Sequence, residues 1–115
     1  MERFEVVDLT GLATSGDGVA WSTSPEGLHV NLVALGPRGE MAEHVNAEVD
    51  VVVVVVAGEA TVTVEGRAHR LAGGSAGVVP RGARRAVAAG PGGARYLSIH
   101  RRRAPLGVRS PGAAG

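Results

Sequence analysis

Residues 44–59 read HVNAEVDVVVVVVAGE, and the reading of this stretch decides the fold. Its six consecutive valines, Val51 to Val56, suit a strand and disfavour a helix, because a branched side chain loses rotamer freedom against the preceding helical turn. A strand sends successive side chains to opposite faces, so this run is apolar on both. Four polar or ionisable residues, His44, Asn46, Glu48 and Asp50, lead into it. Such a strand needs cover on two sides, and the cluster that feeds it has the residue types of a metal or ligand site.

Working outward, the short apolar runs are separated by turn residues throughout. RFEVVDL (3–9) reads as a first strand, and a loop-rich passage (13–27) holds a short strand around Trp21. LHVNLVAL (28–35) is a strand with one mixed face, and GPRGE (36–40) is a turn. After the valine strand, which ends at Val56, AGE turns the chain into ATVTVEG (60–66), where Thr and Val alternate as in a half-exposed strand. RAHRLAGG, SAGVVPRGARR, AVAAGPGG and ARYLSIH supply further short strands broken by Gly and Pro. About eight to ten strands at this spacing make an all-β sandwich or barrel. Residues 1–103 form one domain, since 115 residues leave no room for a second core. From residue 104 the sequence loses periodicity, and 104–115 read as a flexible tail.

Composition narrows the function. Hydrophobic residues make up 44% of the chain, yet it has one Trp, one Tyr and one Phe, so the core is built from aliphatic side chains. Without cysteine there is no disulfide, no thiolate metal site and no cysteine nucleophile. No apolar run is long enough to span a membrane, and the acidic start MERFEVVDLTG is unlike a secretory signal; a cytoplasmic protein is expected. The net charge is +1, but all eleven acids lie at or before Glu65 and ten of the twelve basic residues, all Arg, follow it. These arginines are scattered over turns and strand ends with almost no aromatic residues for base stacking, which argues against a nucleic-acid partner.

Two stretches resemble the cupin superfamily, and specifically its small single-domain, conserved-barrel members. The family's first motif is a glycine, a His-x-His pair, a glutamate and a second glycine at set spacing. Here Gly39 precedes His44-Val-Asn46, the glutamate position counted back from Gly58 falls on Val51, and the motif closes at Gly58. The second motif is a glycine, then Pro-x-Gly, then a histidine; Gly74, Pro80 and Gly82 match it, with Arg85 where the histidine would stand. The resemblance spans residues 28–100 and implies a double-stranded β-helix, or jelly-roll barrel. It implies a metal in the typical member, but of the four ligand positions only His44 is kept, the others reading Asn46, Val51 and Arg85. The metal motif is degenerate, and no cofactor is expected.

What remains is a pocket of His44, Asn46 and Arg85: a titratable imidazole, an amide and a guanidinium fork. Such a fork binds carboxylate or phosphate bidentately, so the expected function is binding of a small polar or anionic ligand in the barrel. Arg85 pairing internally with Glu48 or Asp50 would instead neutralise the pocket. Two other functions stay open. One is a metal-dependent enzyme of dioxygenase or isomerase type, holding a divalent transition metal with a rearranged set of His44, Glu48, Asp50 and His100, or His29. The other is a structural dimer module. His29, His69 and His100 also have ordinary readings, as strand-surface, turn and tail-proximal residues.

The outward valines decide the partner. An exposed β-branched run aggregates, so Val52, Val54 and Val56, or their alternates, need covering by another segment of the chain or by a second copy. A homodimer through the strand 51–56 is the simplest arrangement.

Overall fold

Two long strands that bend at glycines organise the chain. The computed structural model describes residues 4–102, which form seven strands and no helix. The strands are β1 (Gly18–Thr23), β2 (Leu28–Leu35), β3 (Glu40–Val45), β4 (Val51–Val64), β5 (Arg67–Ala72), β6 (Ala76–Val79) and β7 (Arg84–Arg101). All pairings are antiparallel. With no helix among the described residues, none is long and apolar enough to cross a membrane.

β4 and β7 pair along their whole lengths and serve both layers of the barrel. The first half of β4 pairs with β6 and with the second half of β7, whose other edge carries β2 and then β1. The second half of β4 pairs with β5 and with the first half of β7, which carries β3. At the bend Gly58 (φ 75°) pairs with Ala94, Ala60 pairs with Ala89, and residues 90–93 bulge out of the ladder between them. A Cβ on Gly58 would overlap the Gly93 carbonyl oxygen, so only glycine allows the two backbones this close.

The bends correct the sequence reading. The valine strand does not stop at Val56; it runs through Gly58 to Val64. AVAAGPGG and ARYLSIH are likewise one strand, since Pro91, which has no N–H to give, lies in the unpaired bulge and interrupts no ladder bond. The strand expected over residues 3–9 is absent from its described part. Asp8 Oδ1 accepts from the N–H groups of Thr10 and Gly11, and this turn ends the segment before it can pair. Phe4 and Val6 stay exposed. The turn is instead tied down by Arg95, whose guanidinium donates to the carbonyls of Leu9 and Leu12. The tail expected at 104–115 lies outside the described residues.

Pleating divides the valine run as a two-sided strand requires. Val51, Val53 and Val55 are fully buried between the layers with Val33, Val62, Val79, Val87 and Tyr96. Val52, Val54 and Val56 point outward and are half-buried. Their ladder neighbours on that face are Leu97 and Ile99 of β7, which in turn pair with Leu32 and Val30 of β2.

Candidate functional site

The two motif stretches meet around Arg85. Pro80-Arg81-Gly82 forms a turn closed by the Ala83 N–H on the Pro80 carbonyl, with Gly82 at φ 84°. The segment before β4 clasps this turn: Asp50 Oδ1 accepts from the Arg81 N–H at 2.8 Å, and the Asn46 carbonyl accepts from the Gly82 N–H at 2.8 Å. Asn46 Oδ1 also accepts from the N–H groups of Glu48 and Val49, so its carbonyl end is spent on the turn and only its NH2 is left for a ligand. β7 therefore starts from a fixed point, and Arg85 is aimed into the barrel.

Arg85 is the cross-strand partner of His44 on one side and of Val64 on the other, which puts the three side chains on one face. His44 sits at the exposed mouth with Nδ1 3.2 Å from the Ala42 carbonyl oxygen. Arg85 itself is 8% exposed, and its Nη1 is buried without a hydrogen-bond partner. Burial lowers its pKa, opposed only by the attraction of Tyr96. Asp50 is engaged by the Arg81 N–H, and the charge that acts on Arg85 is that of Tyr96.

Tyr96 was missed by the sequence reading, as were Ser98 and Asn31. Buried at 4% exposure, Tyr96 has its pKa pushed up to about 12 by desolvation, with Arg85 pulling the other way. Ser98, also buried, follows on the same face, opposite Asn31, and His100 lies opposite His29. The signal was present in YLSIH: period two puts Tyr96, Ser98 and His100 on one face and Leu97 and Ile99 on the other.

The donors for a metal are sparse among the described residues. Among the described residues no group of three or more His, Asp and Glu side chains is placed to hold a metal ion. Asp50 is committed to the Arg81 turn, while His100 bonds the Arg101 carbonyl and packs against the His29 ring at 5.3 Å between centroids. Of the family's ligand positions, Val51 offers no donor atom and Arg85 brings a cation, so these residues do not fit the group.

Two cavities stand out among the described residues. One, about 440 Å³, is walled by Val53, Val62, Val64, Leu71 and Val79, with His69 and Arg70 among its lining residues. The other, about 330 Å³, lies by the N-terminal turn among Thr10, Thr14, Asp17 and Arg95. Its charged side chains are engaged, Asp17 with the Gly36 N–H and Arg95 with Leu9 and Leu12.

No protein-family model matches the chain. Among curated proteins, an endoribonuclease YbeY of Myxococcus xanthus is 46% identical over 50 residues, which is 44% of this chain and only 17% of that protein. Solved structures match far more completely. The protein TT1209 of Thermus thermophilus superposes with a TM-score of 0.75 at 27% identity, covering 88% of this chain and all of the other. A Klebsiella pneumoniae protein with a double-stranded β-helix domain gives 0.74 at 16% identity over 86% of this chain and 90% of its own. An RmlC-like cupin of Shewanella frigidimarina gives 0.62 at 22% identity over 72% and 73%.

Proposed function

From the premise that the chain has the double-stranded β-helix fold of the cupin superfamily, we propose that it binds a small anionic ligand inside the barrel, without a metal. The observation that carries this reading is the buried Nη1 of Arg85, which has no hydrogen-bond partner. An unpaired buried donor is costly, more so on a cation. A bound carboxylate or phosphate oxygen supplies the missing acceptor, the guanidinium fork fixes its orientation, and the Tyr96 phenol, which keeps its proton far above neutral pH, adds a donor. The test is calorimetric titration of the purified protein with acetate and with phosphate, repeated on Arg85→Met. Heat of binding in the parent and none in the variant is expected; equal binding in both would remove the reading.

We also propose that a second copy covers the outer valines. Val52, Val54 and Val56 are left half-buried beside Leu97 and Ile99, and Val78 on the neighbouring strand is 65% exposed. A two-fold arrangement lets this patch meet its own copy, removing apolar area from water without needing a different partner.

A further inference from the structure

The anion site and the valine cavity are neighbours, and together they restrict the ligand. Val64 walls the 440 Å³ cavity and is the ladder partner of Arg85, so the two side chains leave the same face of adjacent strands. Val62, the next cavity residue along that face, pairs with Val87 of the core. The cavity's lining cation, Arg70, is already paired with Glu59 at 2.9 Å, and among the described residues Arg85 is the buried charged side chain.

Resting on the binding reading above, we infer that the ligand is a monoanionic carboxylate with a short apolar body, its head on Arg85 and Tyr96 and its body in the valine cavity. One guanidinium balances one negative charge; the second charge of a phosphate would be buried uncompensated. Val53, Val62, Val64, Leu71 and Val79 offer nothing to the hydroxyl groups of a sugar acid, whose desolvation against them would go unrepaid. A methylene chain loses nothing there and gains by leaving water.

The experiment titrates the full chain with acetate, butyrate and hexanoate, with phosphate and gluconate as polar comparators, each repeated on Arg85→Met. Affinity is expected to rise roughly threefold to fourfold per added methylene, to be weaker for phosphate and gluconate than for hexanoate, and to vanish in Arg85→Met. Absorbance titration of the single tyrosine gives a second readout, since a carboxylate held beside Tyr96 shifts its ionisation further upward. Arg85-dependent binding that is flat with chain length, or tightest for phosphate or gluconate, overturns this inference and leaves the anion site standing. Absence of binding for every anion, or binding that survives Arg85→Met, overturns both.

Discussion

The guanidinium of Arg85 and the phenol of Tyr96, carried on the two halves of one bent strand, lie close enough inside the barrel to act on each other's charge. Burial wins for both: it lowers the arginine's pKa and raises the tyrosine's, while their mutual attraction opposes each shift. The buried, unpartnered Nη1 of Arg85 is the feature on which the proposed anion binding rests.

Replacing Arg85 by Met should therefore stabilise the ligand-free protein. The variant removes an unpaired donor whose burial costs about 1–3 kcal/mol and keeps most of the volume. Thermal melts without added anion should show an equal or higher Tm, and a clear fall would mean that the guanidinium is satisfied by the chain itself. Arg85→Lys should keep the charge yet bind carboxylate more weakly, because it lacks the planar fork.

Alkaline stability should belong to Tyr96. Its folded pKa lies above its unfolded one, so its contribution is complete below about pH 10 and is lost as pH rises through about 12, where the folded form also ionises. The chain has no Lys, no Cys and one Tyr, and the other side chain whose ionisation is moved toward that window is Arg85, lowered by burial. Urea midpoints measured between pH 9 and 12 should fall for the parent and stay nearly level for Tyr96→Phe. Parallel curves would place the alkaline loss elsewhere.

Two glycines with the same backbone sign should respond differently to alanine. Gly66 (φ 82°), in the tight turn between β4 and β5, has nothing within 4 Å of an added Cβ, so Gly66→Ala should cost about 1–2 kcal/mol of backbone strain. Gly58 meets the Gly93 backbone, and Gly58→Ala should cost several times more or prevent folding. Chemical denaturation of the two variants, with similar losses as the contrary result, checks whether the bend is packed as described.

Val54→Asp should break self-association while leaving the barrel core alone, since Val54 points away from Val53 and Val55. Sedimentation of parent and variant measures it: a dimer that becomes a monomer, or a variant that precipitates, is expected. A soluble dimer in both would place the interface elsewhere.

Much of this was legible in the chain. The valine run required cover on two faces, and the glycine and proline framework around Gly58, Gly74, Pro80 and Gly82 matched a known barrel. Arg85 stood out because a cation replaced a metal ligand. Tyr96 did not stand out, because period two puts it on a face shared with Ser98 and His100 without saying which face is inside. The strand expected at residues 3–9 failed for the converse reason: local β propensity needs a partner edge, and the Asp8 turn claims the backbone first.

By itself the sequence determined the fold class and the two-sided strand, because side-chain chemistry and period are local properties. Only the tertiary structure decided that AVAAGPGG and ARYLSIH are one strand, that Asp50 and Asn46 hold a turn, and that Nη1 of Arg85 lies buried without a hydrogen-bond partner. Those facts depend on which residues distant in the chain are brought together, and therefore on backbone approach at Gly58 and Gly93 and on the ladder register that sets Arg85 between His44 and Val64.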